Sequence, residues 1–78
     1  TPQAVVSITN TLTKGMRNSQ VTKLQQILAK DPVVYPEGLV TGYFGPTTEQ
    51  AVKRFQKKYG LQQVGSVGPQ TRKLLNAQ

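Results

Sequence analysis

Two stretches of the chain repeat apolar residues at helical spacing, and a third, shorter one begins at Pro69. In the first, Val21, Leu24, Ile27 and Leu28 fall at i, i+3, i+6 and i+7, while Gln20, Lys23, Gln26 and Lys30 take the other positions. That stripe predicts a helix over about 19–30 with one face on a core. Asn18 or Ser19 supplies its cap, and Asp31-Pro32 ends it, because a residue before proline is pushed out of helical dihedrals. In the second stretch Ala51, Val52, Phe55 and Tyr59 form the inward stripe of a helix over about 46–59, with Lys53, Arg54, Lys57 and Lys58 facing outward and Gly60 as the stop. The third is a short helix over about 69–76 that turns Leu74 and Leu75 inward. Residues 1–7 read as the end of a linker, and Ile8 and Leu12 as anchors of an extended lead-in. The expected architecture is all-α, a compact three-helix bundle in a single domain over 8–78.

The segments that launch the second and third helices repeat each other. Thr41-Gly-Tyr-Phe-Gly-Pro-Thr-Thr48 returns as Val64-Gly-Ser-Val-Gly-Pro-Gln-Thr71, a constant offset of 23 residues (65 − 42). Both have the form Gly-x-apolar-Gly-Pro, with glycines for a sharp turn and proline at the first helical position, where its missing N–H costs nothing. Identical positions (Gly42/Gly65, Gly45/Gly68, Pro46/Pro69, Thr48/Thr71) read as scaffold, whereas Tyr43 against Ser66 is free to specialise. The helices share the repeat: Val21-x-x-Leu24-Gln25-x-x-Leu28 lines up with Val52-x-x-Phe55-Gln56-x-x-Tyr59. Gln25 and Gln56 are expected to satisfy loop backbone groups from within the core. Between the first helix and the first loop, residues 33–40 carry too many turn residues for a strand and enough apolar ones to cover the edge of the core.

Composition narrows the chemistry. At 78 residues the chain forms a small core that must use nearly every apolar side chain, without cysteine or histidine to supply disulfides, thiol chemistry or the usual metal ligands. Ten Lys and Arg against Asp31, Glu37 and Glu49 give a formal charge of +7, which favours polyanions: nucleic acid, anionic lipid or an acidic wall polymer. The three acids are scattered, and each has a local role at a helix end, a turn or a first helical turn. No catalytic residue, metal or cofactor is expected in this segment, nor any membrane insertion.

Taken together, Leu12-x-x-Gly15, Val21-x-x-Leu24-Gln25-x-x-Leu28, Gly42-x-Phe44-Gly45-Pro46-x-Thr48-x-x-Ala51-Val52-x-x-Phe55-Gln56, Gly60-Leu61 and Val67-Gly68-x-x-Thr71-x-x-Leu74 resemble the three-helix peptidoglycan-binding domain of cell-wall hydrolases and endolysins. The resemblance covers roughly residues 8–76. It implies a non-catalytic module that tethers a larger protein to peptidoglycan, works as a monomer beside an adjoining domain of the same chain, and resides in the cell envelope or outside the cell. Two features depart from the pattern: Thr41 and Val64 stand where the family often has Asp, and Tyr35-Pro36-Glu37-Gly38 lengthens the connection before the first loop.

The candidate contacts with muropeptide are Arg17, Asn18 and Gln20 at the entrance of the first helix and Thr41, Gly42 and Tyr43 in the loop beside it, with Tyr35 from the insertion and Ser66 from the second loop. Asn18 also has capping to do. Arg17 has no capping duty and suits a stem-peptide carboxylate, while the ring and hydroxyl of Tyr43 suit a sugar face or a peptide. Two other readings stand beside this one. The domain could be a regulatory pro-region covering an adjoining catalytic domain, or a basic nucleic-acid binder; against the latter, base-reading side chains are sparse on the third helix, and no specific nucleic-acid partner is expected.

Overall fold

In the computed structural model, which describes residues 8, 10–77, three helices pack around one core: α1 (Ser19–Ala29), α2 (Pro46–Lys58) and α3 (Pro69–Asn76). The expected linker end, 1–7, lies outside the described residues. Ile8, Leu12, Val21, Leu24, Leu28, Phe44, Ala51, Val52, Val67 and Leu75 are all but fully buried, and Leu74 packs partly against them. The bundle, its helix bounds within a residue or so, and the anchoring of Ile8 and Leu12 agree with the reading of the apolar pattern.

The helix ends follow local chemistry. Asn18, in extended conformation, accepts hydrogen bonds from the backbone N–H groups of Gln20 and Val21 and so caps α1. α2 and α3 start at proline after an extended glycine, Gly45 and Gly68, with no side-chain cap. Gly60 adopts φ 74°, Leu61 N–H donates to Gln56 O at 2.7 Å and Gly60 N–H to Lys57 O at 3.2 Å. This pair closes α2 in a Schellman motif, a left-handed turn that glycine adopts without a Cβ clash.

Tyr59 departs from the expected stripe. It is the C-cap of α2 and 38% exposed, its ring tilted against Phe55 with centroids 4.7 Å apart. The helical period ends one residue before it, so its side chain comes to lie beside the core and outside it.

Two buried carboxamides tie the loops to the helices. Gln25 is 1% exposed; its Oε1 accepts from Thr41 N–H at 2.8 Å and Gly42 N–H at 2.9 Å, and its Nε2 donates to Tyr43 O at 2.9 Å and Thr48 Oγ1 at 3.0 Å. Gln56, also 1% exposed, accepts from Gly65 N–H at 3.1 Å and donates to Ser66 O at 2.8 Å and Thr71 Oγ1 at 3.2 Å. Gly42 and Gly65 bring their N–H groups to these clamps at φ 80° and 85°, where an L side chain is strained. α2 thus serves twice, as the helix launched by the first loop and the helix that clamps the second. The segment before α1 pairs with both loops, Leu12 with Val67 and Arg17 with Tyr43, each as an antiparallel bridge.

The connection from α1 turns back onto the bundle immediately. Val34 and Tyr35 N–H groups donate to Asp31 O, and Val33 N–H donates to the Asp31 carboxylate at 3.0 Å. Val34 and Tyr35 are consequently 2% exposed, while Val33, Leu39 and Val40 face solvent. Asp31 also bonds the Lys58 ammonium, and Arg54 reaches across to Val34 O at 3.3 Å and Glu37 at 3.9 Å. The hydrogen bond from Lys58, reinforced by Val33 N–H, holds the Asp31 carboxyl below its ordinary 3.8, and the same bond raises Lys58 above 10.5.

Two outcomes follow from these contacts. Gln25→Ala and Gln56→Ala each strand buried donors and acceptors and leave a void, so urea denaturation should show a loss of about 2–4 kcal/mol for either; a loss below about 0.5 kcal/mol contradicts the clamp. A depressed carboxyl stabilises the fold fully above its unfolded value and loses that contribution as pH falls through the folded one, so the contribution of Asp31 should begin to fall near pH 3.8 and be gone once the pH is below the lowered folded value. Asp31→Asn, which keeps an acceptor for Val33, should therefore melt slightly below wild type near neutrality and match it in acid. Because the pair is solvent-exposed, the difference should be small and shrink with salt.

Candidate functional site

The first loop and the entrance of α1 lie side by side because backbone hydrogen bonds join them. Phe44 N–H donates to Met16 O at 2.8 Å, Gly15 N–H to Phe44 O at 2.7 Å and Asn18 N–H to Gly42 O at 3.3 Å. Phe44 drops into the core, which turns Tyr43, the preceding residue, outward to 36% exposure. On this short antiparallel pairing Arg17 sits across from Tyr43, and its guanidinium carbon lies 4.3 Å from the ring centroid. An exposed cation–π contact of this kind contributes about 0.5–1 kcal/mol. Arg17, for which the sequence offered no local partner, is therefore held in place by the loop. The stacking also occupies one face of Tyr43, and its hydroxyl makes no hydrogen bond to other described residues.

Thr41 proves to be part of the loop's frame. Its Oγ1 accepts from Tyr43 N–H at 3.2 Å and its own N–H goes to Gln25. A hydroxyl here does the turn-closing work available to a carboxylate at the same place. Gly42 is likewise committed through its N–H to Gln25 and through its O to Asn18. A Cβ at Gly42 would meet Thr22 Oγ1 at 3.1 Å. Asn18 is spent on the cap, and Gln20 Oε1 accepts from Asn10 N–H at 3.0 Å, fastening the lead-in to α1. Arg17, Asn18, Thr41, Gly42 and Tyr43 thus share one surface, with Gln20 on the adjoining turn; the Arg17 guanidinium, the Tyr43 hydroxyl and the Asn18 amide nitrogen are side-chain groups there that make no hydrogen bond to other described residues.

Tyr35 does not belong to this surface. It is buried at 2% exposure, and its hydroxyl donates to Leu39 O at 2.6 Å, because the turn at Asp31 folds the insertion inward. Ser66 is also elsewhere: it lines a cleft over the start of α3 that includes none of the residues at the α1 entrance.

The charged residues sort simply. Among the described residues each acid faces a base, Asp31 with Lys58, Glu37 with Arg54 and Glu49 with Lys14. A second cleft, lined by Asp31, Val33, Val34, Arg54, Lys57 and Lys58, lies between the turn that follows α1 and α2. Sequence reading missed it because it depends on the path of residues 31–38 across α2, which no periodicity encodes. Among the described residues no helix is long and apolar enough to cross a membrane.

Comparison with known proteins bears on the family and the fold. A family model described as "Putative peptidoglycan binding domain" matches residues 17–75. The chain is 41% identical over 61 residues to the zinc D-Ala-D-Ala carboxypeptidase of Streptomyces albus G, covering 78% of this chain and 24% of that protein. It is 39% identical over 77 residues to the N-acetylmuramoyl-L-alanine amidase CwlL of Bacillus licheniformis, covering 99% of this chain and 21% of that protein. The chain therefore spans about a quarter or less of the length of these relatives. Among solved structures it is similar to the N-terminal domain of SleB, with a TM-score of 0.79 and 30% identity, covering 90% of this chain and 93% of that one. With the match spanning both loops and all of α1 and α2, the chain belongs to the family of three-helix peptidoglycan-binding domains.

Proposed function

We propose that this domain is a non-catalytic module that holds a larger cell-wall protein on its polymer and meets peptidoglycan through the Arg17–Tyr43 surface. The observation that carries the placement is the guanidinium of Arg17 lying 4.3 Å from the Tyr43 ring at an exposed junction of two fixed elements. A cation already held in position loses little freedom when it meets a carboxylate, and stem peptides end in carboxylates. The Tyr43 hydroxyl adds a hydrogen-bonding group at the edge of the same surface.

The lack of histidine and cysteine, and the pairing of every described acid with a base, support a binding role over a catalytic one. Both relatives are hydrolases several times longer than this chain, which supports a role as one module of a wall-acting protein. A weak site then suffices, since attachment to a polymer raises the effective concentration of the neighbouring domain. The net charge of +7 adds a salt-sensitive attraction to anionic envelope polymers, and to DNA, without specificity for either.

Replacing Arg17 and Tyr43 together by Ala should weaken retention on purified sacculi severalfold near physiological salt, with helical content kept and the melting temperature lowered by only a few degrees, as loss of the exposed cation–π contact requires. Unchanged retention by the folded double variant overturns the placement. DNA binding by the wild type should vanish at the same salt; specific binding that survives there would favour a nucleic-acid role instead.

A further inference from the structure

The two loops are built alike and then diverge at one position, with a consequence for the surface. In the first loop the Tyr43 ring lies against Gly45: a Cβ placed on Gly45 would meet Tyr43 Cε2 at 3.0 Å and Cδ2 at 3.2 Å. In the second, Ser66 replaces the tyrosine, and a Cβ on the equivalent Gly68 would meet nothing within 4 Å. The space that an aromatic ring fills beside α2 is open beside α3. It forms a cleft of about 500 Å3, within the roughly 300–1,000 Å3 usual for small-ligand sites.

Its walls define what it would hold. Leu61, Val64 and Pro69 supply apolar surface, and Gln62, Ser66 and Gln70 supply amide and hydroxyl groups. Those three polar side chains make no hydrogen bond to other described residues, so they remain available to a ligand. The floor is rigid, because Gln56 and Thr71 are buried and bonded to each other at 3.2 Å. Among the described residues no ionisable side chain lines the cleft. A carboxylate-bearing peptide finds no counter-charge there, whereas the Arg17 guanidinium offers one on the other surface.

We propose that this second-loop cleft is a subsite for a neutral N-acetylated sugar of the glycan strand. The acetamido methyl would rest on the apolar wall, and the hydroxyl and acetamide groups would pair with Gln62, Ser66 and Gln70. This rests on the peptidoglycan reading above and divides the polymer between the two loops, stem-peptide carboxylate at Arg17 and sugar at Ser66.

The test titrates the 15N-labelled 78-residue chain with the β-1,4 tetramer of N-acetylglucosamine, followed by backbone amide shifts. Saturable shifts should appear at Gln62, Val64, Ser66 and Gln70, persist in the Arg17→Ala/Tyr43→Ala variant, and be lost in Ser66→Tyr, which fills the cleft as Tyr43 fills its counterpart. Gln70→Ala, which leaves the loop intact, should weaken them without changing the spectrum elsewhere, so the assignment stands or falls even if Ser66→Tyr does not fold. Retention of the wild type on sacculi, combined with no saturable shift, overturns the cleft assignment and leaves the peptidoglycan reading intact. Shifts centred on Tyr43, or undiminished in a folded Ser66→Tyr, overturn it equally. Saturable shifts at the cleft in a chain that sacculi do not retain support the sugar subsite and sink the tethering role instead.

Discussion

A carboxamide inside an apolar core is tolerated only when its oxygen and nitrogen both find partners, and here that requirement shapes the whole domain. Gln25 and Gln56 are each about as buried as the leucines around them. Each accepts from the glycine N–H that begins a loop, and each donates to a carbonyl one residue later and to the threonine hydroxyl in the first turn of the next helix. Leaving such a group unpaired costs about 1–3 kcal/mol, a large share of what so small a core supplies. The glutamine therefore dictates where the loop lies, which glycine takes a left-handed turn, and where the following helix starts.

Because the same clamp is used twice, the domain is a tandem of two helix–loop–helix units that share α2. The segment leading into α1 stitches them together by bridging to Val67 in one loop and Tyr43 in the other. With the loop frame held from within, the residue after the first glycine is not part of the clamp. Tyr43 and Ser66 occupy that place. One fills the hollow above the helix start and presents a stacked arginine; the other leaves it open. The structure thus offers two surfaces of unlike chemistry, one cationic and aromatic, one neutral and amide-lined.

Much of this was legible in the sequence. The 3.6-residue stripes placed the first two helices, and the 23-residue repeat placed the start of the third and separated scaffold glycines from the variable residue between them. The alignment of Gln25 with Gln56 identified both as internal hydrogen-bonding groups. What stayed hidden was non-local. Tyr35 was a candidate contact from the insertion, but the turn at Asp31 buries it. Tyr59 kept the helical spacing yet lies where α2 ends, so periodicity overran the cap. Arg17 acquires its partner only because Met16 and Phe44 pair across the loop. The cleft over α3 is an absence of side chain, visible only once the two loops can be superposed in space. The part Thr41 plays in the loop was hidden for a related reason: its hydroxyl closes onto the N–H two residues away.

The central claim, that each loop is held from within by a buried glutamine, is tested most directly by amide hydrogen exchange at Gly42 and Gly65. Their N–H groups point into the core at Gln25 and Gln56. Both should exchange only through global unfolding, with protection matching that of the core amides of α1 and α2. Exchange at the rate of an open loop at either glycine, in a chain whose helices remain protected, would contradict the account.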